Sequence, residues 1–405
     1  MKRKNRIVFG VIAVLMVLAM ALAGCGGGGG GTSGGTSGGT TTLNLGFGGP
    51  ITQGDVSFGQ GGQRAVKLAV DNANKSQEAK DLKIKFNVVS GDDQSLADVG
   101  TTVANGFVSD KKMVGAVAHF NSTVSIAASK VYNQNNFVQI SYGSTNPALT
   151  QQGFKNVFRT CATDDLQGPT GADRAIGLGY KSAALIDDSS PYGQGIVAAF
   201  KDEFTKKGGK IVYQGSTQQK QNDFTAVVTK IASVKPDLVY FGGTYAPDTG
   251  AGSLLCKQLK SGGVTVPMMG GDGLYAPEFI TGAGAQAAEG SFATCPGMPV
   301  ELLPKGKQFS DDYVAMFPGK QPAPFDAYAY DAAEAIINAV YKVAKDMGVA
   351  KVTSPAGRDA LIKAVAASDF DGVTGKVSFD NKGDNNNRVI TLYKVVNGKW
   401  EAQAQ

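Results

Sequence analysis

Residues 113–150 read MVGAVAHFNSTVSIAASKVYNQNNFVQISYGSTNPALT, and this stretch indicates the fold class. Two apolar runs, Met113–Ala118 and Phe137–Ser141, have the length of short buried strands. The segment between them, Ser122–Asn135, has the amphipathic pattern of a helix. A strand, a helix and a second strand in this order are typical of a parallel α/β unit.

Small hydroxyl residues follow both predicted strands: Ser122-Thr123 after the first and Ser144-Thr145 after the second. In an open parallel sheet, ligands bind beyond the carboxyl ends of the strands, where the helices begin. Helix N-termini there carry unpaired N–H groups and a partial positive charge. The two loops therefore predict a seat for a carboxylate group.

The same alternation of strands and helices extends over most of the chain, from Leu43 to Met269. Three helical segments follow in near succession, and the chain ends in strand-like segments that begin at Lys376 and Arg388. This pattern predicts an α/β protein with parallel sheets covered by helices on both faces. A chain of 405 residues is too long for one ordinary core, so we expect two lobes.

The N-terminus has the pattern of an export signal. A basic start precedes an apolar run from Ile7 to Leu22, and a small-residue cleavage site leads to Cys25. Residues 1–24 therefore resemble a bacterial lipoprotein signal peptide, after which Cys25 is lipidated; a plain membrane anchor with an incidental cysteine is the alternative. Residues 25–41 are rich in Gly, Ser and Thr, which predicts a flexible linker.

Composition argues against nucleic-acid binding and against the common catalytic templates. The net charge of +5 is modest, and no Lys/Arg block is interleaved with aromatic residues. The single histidine, His119, stands in an apolar run that predicts a buried structural role. The sequence lacks a nucleophile elbow, a metal-ligand cluster and a phosphate-binding loop, so we expect no enzyme activity and no cofactor.

Two further features leave alternatives open. The pairs Asp92-Asp93 and Asp187-Asp188 stand at predicted strand ends, where cap and turn roles compete with an acid/base pair. Cys161, Cys256 and Cys295 lack metal-like spacing. Either Cys256 and Cys295 form a disulfide outside the cytoplasm, or all three cysteines are buried thiols.

The polar residues at the predicted strand ends fit a small zwitterion. A free amino acid offers a carboxylate, which hydroxyl and backbone N–H groups bind, and an ammonium, which a carboxylate binds. Ser122, Gly143 and Thr145 are candidates for the first task. Asp272, within Gly-Gly-Asp-Gly after a predicted strand, is the candidate for the second, and capping a turn is its alternative role.

Short motifs in a fixed order carry a resemblance to a known family. They are Gly48-Gly49-Pro50, Asp92-Asp93, Ser144–Thr150, Phe158-Arg159-Thr160, Asp165–Pro169, Tyr192–Gly195, Tyr240–Gly243 and Ala288-Glu289-Gly290. With them, the chain from about Leu43 to Trp400 resembles the substrate-binding proteins of branched-chain amino acid ABC transporters, the leucine/isoleucine/valine-binding proteins. The resemblance implies the α/β fold of a type I periplasmic binding protein, with two doubly wound parallel-sheet lobes joined by three hinge crossings.

The resemblance also implies the lobe boundaries and the site. Lobe 1 would hold residues 42–162 and 296–380, and lobe 2 would hold residues 163–295 and 381–405. The positions that bind the backbone of the ligand fall on Ser122, Gly143, Ser144, Thr145, Tyr192 and Asp272, the last being glutamate in many relatives. The positions around the side chain of the ligand fall on Phe58, Phe120, Tyr142 and Tyr245, with Thr244 as the alternative to Tyr245 because an insertion follows Gly243.

By this resemblance we expect an extracytoplasmic lipoprotein that captures an amino acid, first of all leucine, isoleucine or valine, and delivers it to ABC transporter permease subunits. It would be a monomer attached through Cys25 to a bacterial membrane, in the periplasm or on the outer face of the cell membrane. The alternatives are the same fold binding another amino acid or an amide, a ligand-sensing module, and a membrane-tethered enzyme.

Overall fold

A computed structural model describes residues 39–404. The predicted signal peptide, Cys25 and most of the predicted linker lie outside these residues. Within the described part of the chain, no helix combines the length and the apolar character that crossing a membrane requires.

Strands and helices alternate along most of the described chain, as the sequence pattern predicts. The strands are β1 (Thr41–Gly49), β2 (Ile84–Asp92), β3 (Met113–Ala118), β4 (Gln139–Ser141), β5 (Val157–Arg159), β6 (Ser182–Asp187), β7 (Lys210–Ser216), β8 (Leu238–Gly242), β9 (Met268–Gly270), β10 (Phe292–Pro296), β11 (Asp369–Asp371), β12 (Lys376–Ser378), β13 (Ile390–Val396) and β14 (Lys399–Ala402). The helices are α1 (Val56–Lys75), α2 (Gln77–Asp81), α3 (Ala97–Ser109), α4 (Ser122–Gln134), α5 (Asp164–Gly177), α6 (Pro191–Lys206), α7 (Thr225–Val234), α8 (Gly252–Ser261), α9 (Pro277–Ala283), α10 (Ala285–Ala288), α11 (Gly306–Met316), α12 (Asp326–Met347) and α13 (Pro355–Ala366).

The first sheet contains five parallel strands in the order β2-β1-β3-β4-β5. Its β3-α4-β4 unit is the one predicted from residues 113–150, and that prediction is confirmed. β4 begins later than the predicted Phe137, because the N–H of Phe137 donates to the carbonyl of Tyr132 at the end of α4 (3.0 Å). The apolar residues of β3 are fully buried, as a strand covered on both faces requires.

The second sheet contains seven strands in the order β14-β13-β10-β9-β8-β6-β7. Strands β6 to β10 are parallel, whereas β13 is antiparallel to β10 and β14 is antiparallel to β13. The sequence pattern did not predict this antiparallel edge. It is made by a tight hairpin at Asn397-Gly398, where both residues have positive φ (51° and 72°), the conformation of a two-residue type I′ turn.

The chain passes between the two sheets three times: after β5, after β10 and after β12. The long helix α12 follows β10 in the sequence but packs against α1 and β3 of the first sheet. The segment after β11 stays with it, because Asp331 of α12 accepts a hydrogen bond from the N–H of Val373 (2.7 Å). Strands β13 and β14 then return to the second sheet. The exact residues at which each lobe begins and ends stay a prediction.

Cys161, Cys256 and Cys295 are free, buried thiols. Within residues 39–404 no disulfide joins Cys256 to Cys295, so the buried-thiol alternative is correct. Burial raises the pKa of the Cys161 and Cys295 thiols well above the usual range, which keeps both protonated at neutral pH. They act as small apolar residues of the core.

Candidate functional site

A pocket lies where the carboxyl ends of the parallel strands of both sheets meet. It contains about 440 Å³ of space that no atom occupies, part of it open to solvent. The lining residues come from the loops that follow β2, β3, β4, β6, β7, β8 and β9, and are Ser95, Phe120, Asn121, Ser122, Thr123, Gly143, Asp188, Ser190, Tyr192, Gln219, Thr244, Thr249 and Asp272. None of these described lining residues is Lys, Arg or His, so the only formal charges on the wall are carboxylates.

On the side of the first sheet, hydroxyl groups and a glycine face the pocket. Ser122 is the first residue of α4, where the helix offers unpaired N–H groups. Its Oγ accepts a hydrogen bond from the N–H of Asn146 (3.3 Å). At Gly143 a Cβ atom would lie 2.3 Å from Cδ2 of Phe120, so a larger residue would displace this ring. Ser122, Thr123 and Gly143 therefore form a neutral wall that is rich in hydrogen-bond donors.

Ser144 and Thr145 are buried behind this wall and do not line the pocket. The Oγ of Ser144 lies 2.6 Å from Oγ of Ser125 and donates to the carbonyl of Phe120 (2.8 Å). Its hydroxyl is thus used to shape the loop. The Oγ1 of Thr145 has no hydrogen-bond partner in the described chain and lies beside the buried Asp164.

On the side of the second sheet, Asp272 presents a buried carboxylate. It follows β9 and is 3% exposed. Its Oδ1 accepts hydrogen bonds from Nε2 of Gln167 (2.6 Å) and from the hydroxyl of Tyr192 (3.1 Å), which itself accepts from the N–H of Gly273 (3.0 Å). Burial raises the pKa of Asp272 to about 6. At neutral pH the carboxylate is ionised, held in one orientation and without a cationic side chain beside it on the described wall.

Of the four aromatic residues predicted around the ligand side chain, only Phe120 lines the pocket. Phe58 stacks on Phe120 from behind, with 4.4 Å between ring centroids. The ring centroids of Tyr142 and Phe120 are 5.9 Å apart, and Tyr245 meets the ring of Phe58 edge-on at 5.7 Å; neither tyrosine lines the pocket. The structure places Thr244 on the pocket wall, where the sequence left a choice between Thr244 and Tyr245.

Comparison with known proteins assigns this architecture to a family. Residues 42–399 match the family described as periplasmic binding protein. The chain belongs to the periplasmic binding protein family. The family name places its members outside the cytoplasm, in agreement with the expected extracytoplasmic location.

Relatives of this periplasmic binding protein cover most of its length. An amino acid binding protein from Pseudomonas aeruginosa is 33% identical over 343 residues, which cover 84% of this chain and 86% of the relative. A Leu/Ile/Val-binding protein homolog 1 from Brucella suis biovar 1 is 32% identical over 371 residues, covering 89% of this chain and 91% of the relative. These relatives confirm the resemblance inferred from the motifs.

Two crystal structures share the fold. The leucine binding protein LivK from Thermotoga maritima has a TM-score of 0.79 at 25% identity and covers 89% of this chain and 98% of its own. The branched-chain amino acid transporter substrate binding protein LivJ from Streptococcus pneumoniae, in complex with isoleucine, has a TM-score of 0.76 at 25% identity, with the same coverage. The prediction of a type I periplasmic binding protein fold is confirmed.

The pocket of this periplasmic binding protein also contains residues that sequence reasoning did not select. For Asp188 the sequence left a choice between a cap or turn role and an acid/base pair. Its Oδ1 does accept a hydrogen bond from the N–H of Ser190 (3.0 Å), but the side chain also lines the pocket. Its neighbour Asp187 points away and accepts from the N–H of Ser189 (2.9 Å). Asp188 stands just beyond a parallel strand, and ligands bind at such strand ends. The same rule selected Ser122, so it could have selected Asp188 from the sequence.

Hydrogen bonds join the two sides of the cleft around the pocket. Asp55, which precedes α1, is fully buried and accepts from Nδ2 of Asn121 (2.7 Å) and from Oγ1 of Thr249 (3.2 Å) on the opposite side. Asn146 donates through Nδ2 to the carbonyl of Pro191 (2.5 Å) at the start of α6. The two halves of the site are therefore in direct contact in this structure.

His119 has the structural role that the sequence predicts. It is fully buried, its Nδ1 lies 2.7 Å from Oδ2 of Asp93, and its Nε2 lies 3.3 Å from the hydroxyl of Tyr132. It does not line the pocket. Among residues 39–404, no group of three or more His, Cys, Asp and Glu side chains is arranged to hold a metal ion.

Proposed function

We propose that this periplasmic binding protein captures an amino acid in the pocket between its two lobes and delivers it to the permease of an ABC transporter. The observation that carries the proposal is the pairing of two unlike walls across one pocket. Ser122, Thr123 and Gly143 offer neutral donors, and Asp272 offers a buried carboxylate opposite them. A zwitterion satisfies both walls at once, because its carboxylate accepts hydrogen bonds and its ammonium donates them.

The bound amino acid would place its two charged groups on different sheets. Its carboxylate would accept from the hydroxyl and backbone N–H groups at the N-terminus of α4 and from the backbone N–H of Gly143, with Ser144 and Thr145 supporting the loop from behind. Its ammonium would pair with Asp272, which Gln167 and Tyr192 hold in place. Phe120 would contact the side chain of the ligand, backed by Phe58, Tyr142 and Tyr245.

Ligand binding would stabilise contact between the lobes, because the ligand touches both. Lobe 1 would consist of residues 42–162 and 296–380, and lobe 2 of residues 163–295 and 381–405. The closed form is the one that a permease would recognise. We further propose a monomer, attached to the membrane by a lipid on Cys25.

Leucine, isoleucine and valine are the first candidate ligands. Support comes from the names of the relatives, which include Leu/Ile/Val-binding protein homologs and a leucine-, isoleucine-, valine-, threonine- and alanine-binding protein from Pseudomonas aeruginosa. Another amino acid or an amide would use the same two walls. The role in transport carries no reaction, so we propose no enzymatic activity; a ligand-sensing role would use the same pocket.

A screen of the twenty amino acids by thermal unfolding tests the proposal. A ligand that binds only the folded protein stabilises it by about 2.7 kcal/mol when its concentration is 100 times its Kd. We expect at least one amino acid to raise the Tm of the protein and titration calorimetry to give one site per chain. No shift and no heat with any amino acid or other zwitterion would contradict the proposed ligand class.

The affinity should depend on pH through the buried carboxylates. Burial raises the pKa of Asp272 to about 6, and it also raises those of Asp55 and Asp188 to about 6. The ligand ammonium needs ionised Asp272, so below pH 6 binding competes with protonation of the free site. We expect calorimetry with leucine to show a constant Kd above about pH 7 and a rise of up to about tenfold per pH unit below the pKa. A Kd that is unchanged at pH 5 would contradict the role of Asp272.

A further inference from the structure

Asp188 lines the pocket and has a carboxylate oxygen that makes none of its hydrogen bonds to the surrounding protein. The residue is 2% exposed, follows β6 and lines the pocket together with Asp272. Its Oδ1 accepts from the N–H and the hydroxyl of Ser190. Both hydrogen bonds that this carboxylate makes within residues 39–404 are therefore made by Oδ1, and neither uses Oδ2. Asp188 is thus a second buried acid on the wall, beyond the one that an α-ammonium group requires.

Asn121 supplies a second unused acceptor from the other sheet. Its Nδ2 donates to Oδ2 of Asp55 (2.7 Å), and this bond fixes the orientation of the side-chain amide. The Oδ1 of Asn121 is therefore the free end, and it is buried with no hydrogen-bond partner in the described chain. Asn121 and Asp188 both line the pocket, so a ligand in it would lie beside both side chains.

The remaining wall is also polar. Further hydroxyl-bearing residues line it: Ser95, Ser190, Thr244 and Thr249. None of the described lining residues is Ala, Val, Leu, Ile or Met. Three of the four predicted aromatic residues lie behind Phe120. An aliphatic ligand side chain would leave both acceptors without a hydrogen bond, which is unfavourable for buried polar groups, whereas a ligand N–H group could bond to them.

We propose that Asp188 and Asn121 form a subsite for a ligand side chain that carries N–H groups. The protein then prefers an amino acid with a side-chain ammonium or amide to the aliphatic amino acid of the same size. This inference rests on the proposed amino-acid function and changes only the preferred side chain. A cation fits best on charge grounds, because Asp272 is matched by the α-ammonium and Asp188 is left as a second negative charge.

Pairs of ligands with equal shape test the subsite. Ornithine and norleucine differ by an ammonium in place of a methyl group, and asparagine and leucine differ by an amide in place of an isopropyl group. With the purified full chain, calorimetry should give a Kd at least about tenfold lower for ornithine than for norleucine, because the unpaired acceptors penalise the aliphatic ligand. A preference for asparagine over leucine as well would show that N–H groups suffice without charge.

The outcomes separate this inference from the proposed function. If norleucine binds as tightly as ornithine or more tightly, the subsite is wrong and the amino-acid function stands. If none of the four ligands and no other amino acid binds, both fail.

The variant Asp188→Asn assigns the preference to a residue. It keeps the size of the side chain but turns the free acceptor into a donor, so the preference for ornithine over norleucine should fall about tenfold or more. Asp187→Asn is the matched control, because the neighbouring carboxylate bonds to Ser189 and Ser216 and not to the pocket. Its ratio of the two Kd values should equal that of the unchanged protein. Equal ratios in both variants would overturn the assignment to Asp188.

Discussion

Replacing Asp272 by alanine is expected to raise the Kd for the amino acid by about 100-fold to 5,000-fold. The ammonium of the ligand would be buried without its counter-charge, and breaking a buried charge pair by removing one partner costs about 3–5 kcal/mol. The carboxylate is 3% exposed and held by Gln167 and Tyr192, so water does not easily take its place. Titration calorimetry with the tightest ligand from the amino-acid screen measures the effect.

Two further variants separate charge from folding. Asp272→Asn keeps the size and one acceptor oxygen but replaces the other oxygen by an NH2 donor and removes the charge, so it should lose nearly as much affinity as Asp272→Ala. Asp248→Ala changes an exposed aspartate of the same half of the molecule and should leave the Kd unchanged. The unfolding temperature of the ligand-free Asp272 variants should stay close to that of the parent, because burial already disfavours this carboxylate. An unchanged Kd in Asp272→Ala would exclude Asp272 as the ammonium site.

Replacing Arg159 by methionine is expected to destabilise the fold by about 3–5 kcal/mol. Arg159 is fully buried, and its Nε lies 2.6 Å from Oδ1 of Asp384. Its other nitrogens donate to the carbonyls of Ser144 (2.6 Å) and Asn146 (2.9 Å) and to Oγ1 of Thr150 (2.8 Å). The variant would remove the counter-charge of a buried carboxylate and the hydrogen bonds that Arg159 donates to two carbonyls, leaving Asp384 only its bond from the hydroxyl of Thr150 (2.8 Å).

Because Arg159 fixes the loop that contains Ser144 and Asn146, the same variant should also weaken ligand binding. Urea unfolding measures the change in the free energy of unfolding, and calorimetry measures the Kd. Lys307→Met is the control: Lys307 also pairs with an aspartate, Asp311, but 87% of its side chain is exposed, so we expect the free energy of unfolding to stay close to that of the parent. Equal effects of the two variants would contradict the structural role of the Arg159–Asp384 pair.

The fold followed from local patterns that a single sequence displays. Residues 113–150 predicted the β3-α4-β4 unit, because buried parallel strands are continuous apolar runs and the intervening helix is amphipathic. The antiparallel edge was missed. The Asn397-Gly398 turn could be recognised in the sequence. The strand beside which its hairpin pairs, however, depends on packing between segments far apart in the chain.

The candidate site could be predicted in part. Five of the predicted site residues line the pocket: Ser122, Gly143, Tyr192, Asp272 and Phe120. The other five lie behind the lining residues and are Ser144, Thr145, Phe58, Tyr142 and Tyr245. A place at the end of a strand indicates that a residue is near the site. Whether its side chain lines the pocket or lies behind the lining residues depends on the packing of neighbouring rings, such as Phe58 on Phe120.

The α/β architecture, the two-sheet organisation and the pairing of a donor-rich wall with an acid could be derived from the amino-acid sequence alone. Each of these depends on the order of strands, helices and strand ends, which is local information. Only the tertiary structure placed Asp188 and Asn121 on one pocket and joined Asp55 to Thr249 across it. Those residues come from separate loops, and the distances between their side chains are set by how the two sheets pack. The preferred side chain of the ligand is therefore a property of the assembled cleft.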